Sequence, residues 1–246
     1  MPPAAIRAAR RFFRSPRTFF RDHPRARSAA VGFVVVLAFA FALAGSVVYL
    51  GGLLADTTDA TVTVDNPDRP PEWVCDGPSP DVGDIDDGCD EPETIERDAG
   101  AMLREAAYDR TAHAFLGGLL LWPIAGTTLF ITARLSGGDG GYLDTLGVAA
   151  WAVVPEFLRL VVALLGLRYA LGRLELTGPV ESYPDQLLAA LASLETPLLP
   201  VTVVVFVWQW VILTAGLEET HGLSRTAAGV VVGVLLALWG GAMVVT

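Results

Sequence analysis

The chain has 246 residues, 52% of them hydrophobic, with a formal net charge of -10. Because the apolar residues are gathered into long runs, little is left over to build a separate globular domain, and one membrane domain is the economical reading. All seventeen basic residues are arginine against twenty-seven acids, a balance that points to a halophile or to a GC-rich genome with one acidic loop.

Residues 1–28 form an arginine-rich leader carrying Arg7, Arg10, Arg11, Arg14, Arg17, Arg21, Arg25 and Arg27. Arg10 and Arg11 followed by Phe12 and Phe13 look like a twin-arginine leader, but such leaders place a short apolar region of ~7–15 residues soon after the charges. Here the apolar run begins near residue 29 and lasts about 26 residues, so the first helix is read as retained. In residues 15–24, SPRTFFRDHP, aromatic pairs alternate with arginines just before the membrane. Phe12, Phe13, Phe19 and Phe20 are expected to sink into the headgroup zone while Arg10, Arg11 and their neighbours meet anionic lipid. Nucleic-acid binding is the competing reading of the cluster; its place directly before a span favours the membrane.

Five apolar stretches follow, at 29–54, 112–133, 143–171, 200–217 and 226–245. Each approaches the ~20 residues that cross ~30 Å of hydrocarbon. Continuous runs, unlike ten-residue alternating ones, choose helices over a barrel, so the expected fold is an all-α bundle of five transmembrane helices. The leader's charges place the N-terminus in the cytosol and, after five crossings, the C-terminus outside a multi-pass protein of the cell membrane. Arg134 and Arg225 then fall in short cytoplasmic connections.

The connection over 55–111 holds seventeen acids and four arginines and is expected to be extracellular. Thr61, Val62, Thr63 and Val64 are consistent with a short strand, and Ile95, Met102, Leu103 and Ala106 share one face of an amphipathic helix expected over about 93–109. Cys75 and Cys89, the only cysteines, are expected to pair in an oxidising compartment, closing a loop worth ~3 kcal/mol in the entropic model. Asp84, Asp86 and Asp87 reach Gly88 one residue early for a calcium loop, so the acidic run reads as solvated, with a cation-binding sensor as the weakest functional alternative. The second outer connection, 172–199, carries an amphipathic helix with Leu187, Leu188, Leu191 and Leu194 on one face.

Charged residues inside a span need a reason. Glu156 and Arg159 lie near the centre of the third span, share a helix face at i and i+3, and follow Pro155, which removes an amide donor and leaves the carbonyl of Trp151 open. Gln209 on the fourth span, and Thr127 and Thr128 on the second, are candidate partners. The arrangement reads either as a buried ion pair that fixes which helices meet or as a passage through Glu156. Gly229 and Gly233 give the small-residue spacing that permits close helix approach, within the bundle or between protomers of a homo-oligomer. Neither a phosphate loop nor a catalytic or metal-binding motif is present, and no cofactor is expected.

Residues 141–164, GYLDTLGVAAWAVVPEFLRLVVAL, resemble the third-helix region of archaeal Yip1-domain proteins. Residues 207–234, VWQWVILTAGLEETHGLSRTAAGVVVGV, resemble their fourth helix, Gly-Leu-acid turn, Leu-Ser-Arg and fifth helix, and residues 15–24 their opening proline and Phe-Phe element. The resemblance covers the leader and about 112–246, leaving the acidic loop as an insertion. It implies five transmembrane helices with a cytosolic N-terminus, and no catalytic residues. In eukaryotes the family is associated with vesicle traffic, Rab-type GTPases and membrane shaping, but the Asp-Leu-Tyr-Gly-Pro motif of those members is missing here. A non-enzymatic membrane-organising or adaptor protein is therefore expected, with the leader engaging anionic lipid or an unknown protein partner; the alternative is a small transporter or channel using Glu156 and Arg159.

Overall fold

A computed structural model describes residues 11–22, 25–58, 60–75, 88–174 and 182–245. In chain order the elements are α1 (Pro16–Asp22), α2 (Arg25–Ala55), β1 (Thr61–Asp65), α3 (Glu72–Cys75), β2 (Thr94–Asp98), α4 (Ala99–Leu135), α5 (Tyr142–Trp151), α6 (Val154–Leu171), α7 (Tyr183–Ala192), α8 (Glu195–His221) and α9 (Arg225–Val245). Four segments, Ala29–Ala55, Ala99–Leu135, Tyr142–Leu171 and Thr196–His221, are long and apolar enough to cross a membrane. A shorter apolar stretch, Arg225–Gly240, lies on α9. Arg7 and Arg10, and Asp81, Asp84, Asp86 and Asp87 of the acidic run, lie outside the described residues.

Small residues set how closely the helices approach. A Cβ at Gly51 on α2 would lie 2.3 Å from Ala107 Cβ on α4, and one at Gly216 on α8 would lie 2.3 Å from Val148 Cγ1 on α5. Larger side chains at these crossings would push the helices apart and forfeit the dispersion contacts that hold membrane helices together. The core they enclose includes Leu129, Ala133, Val148, Ile212, Leu217 and Val232. Gly229 and Gly233 serve the same purpose inside the chain. Both face Trp210 on α8, whose Nε1 donates to the Gly229 carbonyl at 2.9 Å.

The connection over 55–111 departs from expectation at 94–98, where a strand replaces the first part of the helix expected over 93–109. β1 and β2 pair antiparallel, with Val64 opposite Ile95 and Thr61 opposite Asp98. Cross-strand pairing gives β-branched Thr94 and Ile95 a better use than a helix would. Asp98 then caps α4 by accepting from the Ala101 amide. From that cap α4 runs unbroken for 37 residues, so the remainder of the helix expected over 93–109 and the apolar stretch 112–133 are one element. Cys75 and Cys89 form a disulfide that ties α3 to the chain just before β2. Asn66 adds two bonds across the same gap, from its amide to Glu93 O and from Nδ2 to Pro92 O.

The stretch expected as one span over 143–171 is two helices. α5 ends at Trp151 and α6 begins at Val154, with Pro155 in its first turn. Proline is well placed there because the first amides of a helix have no partner within it.

Candidate functional site

Two polar constellations stand out, one at the end of the bundle that carries the leader and one inside it. The first is built from aromatic and charged side chains of opposite elements. After a helical turn at residues 11–14, the helix breaks at Ser15 and resumes as α1, with the Phe19 amide and the Thr18 hydroxyl both donating to Ser15 O. That geometry turns Phe12, Phe19 and Phe20 inward, where they are buried with Val148, Ala152, Ile212 and Leu217. The rings of Phe12 and Phe19 lie 5.0 and 4.8 Å from that of Trp151, and Phe13 lies 5.0 Å from Trp208. Offset and edge contacts of this kind add to the area buried. The expectation of lipid contact is therefore corrected for Phe12, Phe19 and Phe20: tryptophans of α5 and α8 supply a closer-packed apolar surface than lipid does. Phe13 remains 52% exposed.

Charge fixes the same element from outside. Arg17 pairs with Glu218, and Arg21 binds Glu219 in a fork, Nη2 to Oε1 at 2.7 Å and Nε to Oε2 at 3.1 Å. By hydrogen bond and charge Glu219 holds the Arg21 guanidinium above its ordinary range. Two carboxylates in the last turn of a helix oppose its dipole. The leader's arginines compensate for them. Among the described residues Arg11 pairs with the exposed Asp22, at 3.3 Å, and Arg14 is exposed.

Beside this clamp α8 ends at His221, with Gly222 in the left-handed conformation at φ 67°. His221 is 1% exposed, and its Nε2 shares a hydrogen bond of 2.7 Å with the buried Thr145 hydroxyl. The Asp139 amide donates to His221 O at 3.1 Å. A Cβ at Gly140 would lie 2.7 Å from the imidazole Cγ, so the loop after α4 can wrap the ring only as glycine. Sequence reasoning passed over His221, Thr145, Glu218 and Glu219. The signal it had was the acid pair at the end of an apolar run, opposite in sign to the leader.

The second constellation lies where α5 gives way to α6. Glu156 Oε2 forms an ion pair with Arg159 Nη2 at 2.8 Å, and Glu156 Oε1 accepts from Gln209 Nε2 at 2.8 Å. The same Gln209 nitrogen donates to Ala152 O at 3.1 Å. Gln209, expected as a cross-helix partner, thus stitches α8 to the break before Pro155, through the carboxylate of Glu156 and the carbonyl of Ala152. Thr127 and Thr128 bond elsewhere: both donate to carbonyls of their own helix, Pro123 and Ile124, and the Thr127 hydroxyl also shares a hydrogen bond of 2.9 Å with the Tyr142 hydroxyl of α5. Next to the pair is a cavity of about 290 Å³ bounded by α2, α4, α5, α6, α8 and α9. Among the described residues no cluster of His, Cys, Asp or Glu could hold a metal ion.

The Yip1-domain model matches residues 10–246, nearly the whole chain and both constellations. The chain belongs to the Yip1-domain family. No curated protein and no solved structure matches it. All three segments of this Yip1-domain chain that carry the family resemblance meet at the leader clamp: Arg17, Phe19 and Arg21 come from residues 15–24, Trp151 from 141–164, and Trp208, Glu218 and Glu219 from 207–234.

Proposed function

We propose that this Yip1-domain protein is a non-enzymatic membrane-organising or adaptor protein of the cell membrane. In this reading α9 is a fifth crossing, the N-terminus and the leader clamp are cytoplasmic, and the C-terminus and the acidic insertion between α2 and α4 are outside. The observation that carries it is the docked leader. Phe12, Phe19 and the two Arg–Glu contacts hold the leader against the bundle, while Arg11, Arg14 and Phe13 stay exposed beside it. An exposed basic and aromatic edge held at one end of a bundle suits anionic lipid or an acidic protein surface. The test is affinity purification from crosslinked native membranes, comparing wild type with Arg11→Glu/Arg14→Glu. A partner recovered with wild type and lost with the variant is expected; identical recovery from both overturns the leader's part in it. Since the described cysteines are all paired, single cysteines introduced at Ser136 and Thr94 can be labelled from either side of the membrane. Labelling of both from one side would overturn the topology.

A second reading, a small transporter or channel, is supported by the cavity beside Glu156 and Arg159. In proteoliposomes, replacing both residues with leucine abolishes flux if the pair lines a passage and leaves the protein folded if the pair is structural.

A further inference from the structure

The cavity beside the ion pair is mostly, but not uniformly, apolar. Its walls are hydrocarbon and aromatic on most sides, including Phe39, Trp122, Phe206 and Leu236; its charged and amide groups, Glu156, Arg159 and Gln209, lie together, while the Thr128 hydroxyl on α4 donates to its own helix at Ile124 O. Such a pocket, mostly apolar with a few convergent polar groups, is the ordinary form of a small-molecule site. At about 290 Å³ it falls at the lower edge of the ~300–1,000 Å³ typical of such sites, which fits one chain and not two. Only two of its lining residues are exposed, Leu121 at 55% and Trp239 at 36%. They lie on α4 and α9, so the mouth opens sideways between those helices, toward lipid.

The hydrogen-bonding inventory of the polar wall sets the class of occupant. Both Glu156 oxygens are already engaged, one by Arg159 and one by Gln209. Among the described residues Arg159 has no partner besides Glu156, which leaves most of its five N–H donors available. Gln209 spends its nitrogen on Glu156 and Ala152 and leaves its carbonyl oxygen as an acceptor. Glu156 and Arg159 cancel, so the wall is formally neutral; an ionised headgroup would bring an uncompensated charge into a low-dielectric site. We propose that the cavity binds one neutral single-chain lipid whose polar end carries both an accepting oxygen, for Arg159, and a hydroxyl, for Gln209, with its hydrocarbon in the apolar remainder. The role goes beyond the organising function and does not depend on it. It also differs from a passage, because a site with one lateral mouth holds its ligand without requiring flux.

The test uses the full-length protein in nanodiscs and three probes of equal chain length: a monoacylglycerol, the corresponding fatty acid at a pH that ionises it, and the alkane. Saturable binding of one monoacylglycerol per protein, at least tenfold tighter than either of the others, is expected. Ala125→Phe, which fills the cavity without touching the ion pair, should remove that binding; Leu236→Trp serves the same purpose from the opposite helix if the first variant does not fold. Equal binding of the alkane overturns the role of the polar wall. Tighter binding of the fatty acid overturns the neutral class. Binding that survives a folded cavity-filling variant, or no saturable binding at all, overturns the site.

Discussion

The chain uses the same pair of side chains, arginine and glutamate, in two places, and the surroundings give the pairs different work. At the leader clamp Arg17 and Arg21 reach across from another element to Glu218 and Glu219, and their outer edges are open to solvent. Inside the bundle Arg159 and Glu156 lie one turn apart on a single helix, with Gln209 closing the carboxylate from the far side. The clamp holds two segments together through aromatic burial, and its charges set direction. The inner pair joins nothing by itself; it cancels a charge so that Gln209 can tie α8 to the end of α5. Where a charge pair is placed, more than how many there are, decides whether it acts as a fastener or as insulation.

That contrast can be broken experimentally, beginning where the expected effect is largest. Arg159→Leu strands the Glu156 carboxylate and should cost about 3 kcal/mol or more, whereas Glu156→Leu/Arg159→Leu should recover most of the loss. Unfolding of both variants in detergent checks it, and a double variant no better than the single one would show that the pair contributes attraction of its own. Phe19→Ala removes the ring against Trp151 and should cost roughly 3 kcal/mol, with a change in tryptophan emission that Phe13→Ala produces more weakly. Trp210→Phe deletes the hydrogen bond to Gly229 O while keeping an aromatic ring at the crossing, at about 1 kcal/mol in the same assay. The smallest effect is expected from Arg21→Gln. Its loss of thermal stability should shrink in molar salt, because an exposed pair is screened, while that of Arg159→Leu should persist.

Much of this was legible because membrane burial leaves strong marks. Long apolar runs announced the membrane helices, Gln209 stood out as a lone amide between tryptophans, and Gly229 and Gly233 carried the spacing of a close crossing. The docking of the leader was not legible, since alternating phenylalanine and arginine suits a lipid interface and a protein groove equally well. What separates the two is Trp151 and Trp208, which only the folded chain brings within reach of Phe12, Phe13 and Phe19. β2 was hidden for a related reason. Ile95 fits a helical stripe with Met102, Leu103 and Ala106, and only its partner Val64, far away in sequence, makes it a strand residue.

The unbroken run of α4 has a mechanical side. A helix of 37 residues is a lever about 55 Å long, so a tilt of about 5° at the disulfide-tied sheet would swing its other end by roughly 5 Å. That end carries the glycine loop folded around His221, two and three residues beyond the carboxylates Glu219 and Glu218 that grip the leader. A pull on the acidic connection between α2 and α4 should therefore be felt at the leader as a loosened grip, with no chemical signal passing between them.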